Sequence, residues 1–219
     1  MTYICWGVMY EGDTDAAYFD ILIPRVMEDL VISRGIRNST IPSASAIRLR
    51  RGRVTEVARE ACAAREAFHL VFIHADSGGR NLATGLDERS EAYCRAMKDL
   101  CDWPPVRCIT IAPSHETEAW VLVDPQAVVS ALGYRGSPAE IGLPVSAGQA
   151  ERLPDPKAVL ASAVIRVRGR GRPFDAKQIF PAIAQRQSLA TLRQARSYAG
   201  FEANLLSALA DLGCIAPPE

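Results

Sequence analysis

HLVFIHADSGG, residues 69–79, is the stretch on which the fold turns. Leu70 to Ile73 form an unbroken apolar run containing Val, Phe and Ile, and a Ser-Gly-Gly turn follows within a few residues. A run of that length and composition, closed by glycine, predicts a buried central strand. In open α/β sheets ligands collect beyond the carboxyl ends of such strands, so His74 and Asp76 stand where chemistry is expected.

Working outward, residues 3–10 are rich in Tyr, Ile, Trp and Val and predict a first strand that stops at the turn Glu11-Gly12-Asp13. Apolar residues at helical spacing from Ala17 to Val31 predict a helix over 14–34, with Asp13 or Thr14 as its cap and Pro24 as a kink or break. A loop and short strand over 36–49 and a helix over 54–67 lead into the central strand. Beyond it, 86–101 reads as a helix ended by Pro104-Pro105, 106–112 as a strand, and 115–132 as a helix capped by Ser114. Strand and helix thus alternate four times, which predicts an α/β sandwich with a largely parallel four-stranded sheet flanked by helices. The expected organisation is an α/β domain over 1–132, a Gly/Pro/Ser-rich linker or loop over 133–153, and a helical appendage over 154–219 packing on the first domain.

Composition narrows the function classes. The chain has 219 residues, 48% hydrophobic and 23% charged, with no apolar run of membrane-spanning length and an N-terminus that reads as strand rather than leader. Six scattered cysteines without a CxxC pair predict reduced thiols and a cytoplasmic protein. A net charge of zero conceals an asymmetry: residues 1–125 hold 14 basic and 18 acidic side chains, residues 126–219 hold 11 and 7. Two segments concentrate arginine, Arg48, Arg50, Arg51 and Arg53, then Arg166, Arg168, Arg170 and Arg172. Guanidinium groups grip phosphate through a planar fork, so DNA or RNA is the expected partner, although either segment could simply be a solvated loop.

Acidic residues follow three predicted strands: Glu11 with Asp13, Asp76, and Glu116 with Glu118. Oxygen-rich clusters of this kind suit Mg²⁺ or Mn²⁺ in a one- or two-metal site that holds a scissile phosphate and activates water. Each piece also has a plainer reading. Asp13 caps a helix, Glu116 and Glu118 favour a helix N-terminus, Asp76 makes a turn, and Lys157 merely follows the helix start Asp155-Pro156. Trp120 and His69 read as structural, and Ser77-Gly78-Gly79 could cradle a phosphate in a nucleotide-binding module.

The order strand, Glu11-Gly12, helix, then an apolar strand into His74-Ala75-Asp76-Ser77-Gly78 resembles a TOPRIM domain, the α/β metal-binding module of topoisomerases, primases and overcoming-lysogenization-defect nucleases. HETEAWVLVDP at 115–125 with Asp155-Pro156-Lys157 resembles small bacterial TOPRIM-like proteins linked to ATPases in phage defence. The resemblance covers residues 3–160. It implies a TOPRIM/Rossmann-like sandwich and a metal-dependent nuclease in anti-phage defence acting with an ATPase partner; the alternative is a non-catalytic regulatory subunit of such a complex. It also implies Glu11, Asp76 and Glu116 as catalytic metal ligands, with His74, His115 or Glu118 completing the shell and Lys157 steadying the transition state. His74 stands where the family's first aspartate is expected, and imidazole favours Mn²⁺ or Zn²⁺ over Mg²⁺.

Overall fold

A computed structural model describes residues 2–41, 46–76, 90–169 and 175–217. Four strands, β2 (Trp6–Met9), β4 (Ala46–Arg48), β5 (Leu70–His74) and β6 (Cys108–Ile111), form one sheet in the order β4-β2-β5-β6, all parallel. The first predicted strand is divided: β1 (Thr2–Tyr3) pairs with β3 (Ser39–Thr40) in a separate two-stranded ribbon. Among the described residues, the helices are α1 (Asp13–Arg34), α2 (Val54–Ala63), α3 (Ala92–Cys101), α4 (Thr117–Val123), α5 (Pro125–Leu132), α6 (Ala147–Ala150), α7 (Pro156–Arg168), α8 (Ala176–Arg186), α9 (Leu189–Leu192) and α10 (Arg196–Asp211).

Strand alternation sends side chains to two unequal cores. Leu70, Phe72, Ile109 and Ile111 face the larger one, which also holds Phe19 and Leu22 of α1, Trp120 of α4, Phe180 of α8 and Phe201 of α10. Val71, Ile73 and Cys108 face the smaller one, closed by Val57 and Ala61 of α2 and Met97 of α3. Residues of 154–219 are therefore part of the same apolar interior as the strands. Gly7 of β2 faces the small core, where a Cβ would lie 3.2 Å from the Phe68 ring.

Proline acts differently from expectation at two places. Pro24 sits inside an unbroken α1. A proline in a helix interior costs ~3 kcal/mol, but Leu22, Ile23, Val26 and Met27 around it are fully or almost fully buried, and that burial outweighs the lost hydrogen bond. Conversely, the predicted helix over 115–132 is divided at Asp124-Pro125. Pro125 takes the first position of α5 and the Asp124 side chain accepts from the Ala127 amide.

Pro125 has no N–H for the Val121 carbonyl, and Gln187 supplies the missing donor. Its Nε2 donates to the carbonyls of Trp120 (2.7 Å) and Val121 (3.2 Å), and its Oε1 accepts from Tyr18 Oη at 2.5 Å. One side chain, 1% exposed, thereby ties α1, α4 and the turn after α8 together.

The cysteines overturn the expectation of six reduced thiols. Cys62 is bonded to Cys101 and Cys94 to Cys108; Cys5 and Cys214 are free. Cys94 and Cys101 lie two turns apart on one face of α3, so that face carries a bond to β6 and a bond to α2. A layer of two helices buries little apolar surface, and a bond of this kind contributes about 2–4 kcal/mol. No described helix is long and apolar enough to cross a membrane.

Gln187→Leu fills the same space but leaves the Trp120 and Val121 carbonyls and the Tyr18 hydroxyl without their partner. Urea denaturation is expected to report a loss of about 2–4 kcal/mol; a loss below about 0.5 kcal/mol, the size of an ordinary surface change, would contradict the latch.

Candidate metal centre

All four parallel strands deliver their carboxyl ends to one rim. His74 pairs with Ile111, and the Ala75 amide extends the ladder by donating to the Ile111 carbonyl at 3.2 Å. Residues 10–15, 75–76 and 112–118 thus leave the sheet side by side.

His74 has the same strand parity as Leu70 and Phe72, so its ring enters the larger core, with Phe19 at 4.8 Å between ring centroids. It is completely buried. A buried imidazole needs polar partners, and three neighbours provide polar atoms. Asp15 lies in the first turn of α1, on the face shared with Tyr18, Phe19 and Leu22, and is 8% exposed. Asp76 follows β5 by two residues, and Thr117 opens α4.

The hydrogen bonds place a hydrogen on Nε2 of the ring. Thr117 Oγ1 donates its one proton to Asp15 Oδ1 at 2.7 Å, so toward His74 Nε2, 3.2 Å away, it must accept. Nε2 therefore carries the hydrogen, with Asp76 Oδ1 also 3.2 Å from it. Nδ1 lies 3.8 Å from Asp15 Oδ2, buried and without a hydrogen-bond partner. Ligand atoms from Asp15, His74 and Asp76 all lie within 4.8 Å of one another, and among the described residues this is the one group so arranged. Two carboxylates and an imidazole are a donor set for a divalent metal ion.

Further acidic groups crowd the same rim. Glu116 is the residue before α4, and its carboxyl is pushed above the ordinary glutamate range, by burial first and then by the charge of Asp76. Lys157 opposes the shift through its charge and its backbone N–H. The Asp155 cap and Pro156 start α7 as the sequence predicts, and that start brings Lys157 to Glu116. Glu118, 7% exposed, is pushed up to about 7, chiefly by burial, with Glu116 and Asp76 adding like charge. His115, half-buried, has a φ of 66°, a conformation costly for a residue with a Cβ and concentrated at functional sites.

Other expected site residues fall elsewhere. Glu11 is half-buried at the rim, with its carbonyl accepting from Arg51 at 2.5 Å, but it is outside the group whose ligand atoms share one centre, as are Glu116, Glu118 and His115. Asp13 neither caps α1 nor joins the centre; it is exposed and paired with Lys177 at 2.8 Å, which holds its carboxyl below the usual range. Trp120 is core, its Nε1 donating to Ser197 Oγ. His69 accepts the Cys5 amide.

The first arginine segment lines the rim: Arg51 reaches Glu11, Arg48 pairs with Asp20 over the Tyr10 ring, and Arg50 and Arg53 are exposed. The described part of the second, Arg166 and Arg168, does not. Arg166 and Arg168 end α7, about 14 and 17 Å along the axis from Lys157, with Arg166 lying over Gly142. Arg170 and Arg172 lie outside the described residues, as do Ser77, Gly78 and Gly79. Asp15 and Thr117 are the residues the sequence reading missed. For Asp15 a signal existed, an acid on the buried stripe of α1; for Thr117 there was none.

Comparison with family models, with curated proteins and with solved structures gives no match for this chain.

Because Glu118 holds its proton more tightly when folded, the native state binds the extra proton between about pH 4.5 and 7, and stability falls as pH rises through that window. In chelator-containing buffer at pH 8, Glu118→Gln is expected to raise unfolding stability by about 2–3 kcal/mol and flatten its slope between pH 4.5 and 7. An unchanged slope would contradict the shift.

Proposed function

We propose that this protein is a metal-dependent phosphodiesterase of TOPRIM-like type that acts on nucleic acid. The observation that carries this reading is the buried His74 ring, its Nδ1 without a hydrogen-bond partner, grouped with Asp15 and Asp76 at the rim of a parallel sheet. Asp15, His74 and Asp76 would hold a divalent cation, with Mn²⁺ preferred to Mg²⁺ because imidazole is a poor ligand for the harder ion. Such a cation lowers the pKa of bound water and offsets charge on a phosphoryl oxygen.

The chain's own groups fit the remaining work. Glu118 is half protonated near neutral pH and is suited to exchange a proton with a leaving oxygen. Lys157 and the start of α7 put positive charge beside Glu116. Arg50, Arg51 and Arg53 line the rim with exposed guanidinium groups suited to backbone phosphates. Action in phage defence with an ATPase partner rests on the sequence resemblance and belongs to the same proposal.

Calorimetric titration is expected to give one Mn²⁺ per chain, with affinity falling at least about tenfold in Asp15→Ala and in His74→Ala and a weaker response to Mg²⁺. Supercoiled plasmid is expected to be nicked by the wild type with Mn²⁺ and left intact by Asp76→Ala. Equal nicking by both proteins would overturn the assignment. Metal binding without any nicking, with and without an ATPase partner, would replace the enzyme by a binding subunit.

A further inference from the structure

The two disulfides are placed as a device rather than as isolated staples. Cys94–Cys108 joins α3 to β6 across 14 positions, and Cys62–Cys101 joins α2 to α3 across 39. The two spans interlock, since Cys94 falls within the longer and Cys101 within the shorter. The longer span contains β5 with His74, and Asp76 after it. The shorter ends on β6, which runs directly into the segment 112–118 that bears Thr117, Glu116 and Glu118. The covalent pair therefore fixes the thin α2–α3 layer to β6.

One of the two bonds lines a groove. A groove of about 400 Å³ runs along the free edge of β6 between α3 and α10, and its wall includes Cys94, Cys108, Val106, Thr110, Asn204 and Ser207. Within this bond Cys94 is half-buried and Cys108 9% exposed, so the approach is to the Cys94 sulfur; Cys62 and Cys101 are half-buried as well, and it is the groove that sets this bond apart. Arg95 and Lys98 line this groove together with Glu91 and Asp99, and Arg95 pairs with Glu91 at 3.7 Å, so its charges balance.

We infer that Cys94–Cys108 is a redox switch, opened through this groove by a dithiol reductant, and that opening it loosens α3 and the 112–118 segment. The reductant's thiolate attacks Cys94 Sγ; the sulfur–sulfur bond breaks and its electron pair leaves on Cys108 Sγ, which takes up a proton. The second thiol of the reductant then displaces Cys94 from the mixed disulfide. Two electrons and two protons pass to the protein, Cys94 and Cys108 become thiols, and the dithiol becomes a disulfide. Cys62–Cys101 remains and keeps α3 tethered to α2, so the change is local rather than global unfolding.

Dithiothreitol in limiting amount, alkylation and peptide mass spectrometry test this directly. Denatured but unreduced protein is expected to take two adducts, at Cys5 and Cys214. Native protein given the dithiol is expected to gain adducts at Cys94 and Cys108 at least about tenfold faster than at Cys62 and Cys101. Amide exchange over 92–101 and 112–118 is expected to rise in that partly reduced state, with residues 70–74 still protected. The paired variant Cys94→Ser/Cys108→Ser is expected to show the raised exchange without dithiol. Should that variant fail to fold, the partly reduced wild type decides. Six adducts before reduction, equal reduction rates for the two bonds, or unchanged exchange would each overturn the switch. Thiol counting and amide exchange need neither cation nor substrate, so their outcome is separable from that of the plasmid assay.

Discussion

An imidazole with no access to water, at the end of a strand with no access to water, constrains everything around it. His74 must satisfy two nitrogens inside the protein. Thr117 satisfies one, and because Thr117 spends its own proton on Asp15, the hydrogen on the ring is fixed to Nε2. The other nitrogen faces a carboxylate without a hydrogen-bond partner. A buried polar atom without a hydrogen-bond partner costs stability, as does a buried carboxylate, and a cation between them offsets both costs.

That local constraint depends on the larger architecture. Parallel pairing brings residues 10–15, 75–76 and 112–118 to one edge although they are far apart in the chain. Strand parity turns His74 toward α1 rather than toward the small α2–α3 core. The buried stripe of α1 places Asp15 under the ring, and the Asp124-Pro125 break, completed by Gln187, fixes where α4 starts and hence where Thr117 sits. Crowding of Asp76, Glu116 and Glu118 then follows, and burial keeps a proton on Glu118 near neutral pH.

Much of this was legible in the sequence. The run Leu70–Ile73 declared the central strand, Glu11-Gly12 the end of its neighbour, and strand–helix alternation the parallel sheet. His74 and Asp76 could be placed at its rim because strand ends are where a parallel sheet exposes polar groups. Asp15 was missed because Asp13 read as the acid of that turn, although positions 15, 18, 19 and 22 form the helix stripe that is buried. Pro24 misled because local propensity is weaker than the burial around it, whereas Asp124-Pro125 carried a standard cap-and-start signal inside an apolar run long enough to hide it. The cysteine pairing was masked by the lack of a short-range motif; Cys94 and Cys101, seven residues apart on one helix, were the usable hint. Thr117 had no signal at all, because its role exists only once α1, β5 and α4 meet.

The most direct test of this account is the long-range proton–nitrogen NMR spectrum of the His74 ring, recorded with chelator and then with a diamagnetic divalent ion such as Zn²⁺. The account predicts a hydrogen on Nε2 and a bare Nδ1 in chelator, with the Nδ1 resonance moving on addition of the ion and not moving in Asp15→Ala. A ring protonated on Nδ1, or one whose nitrogens do not respond to the ion, would contradict it.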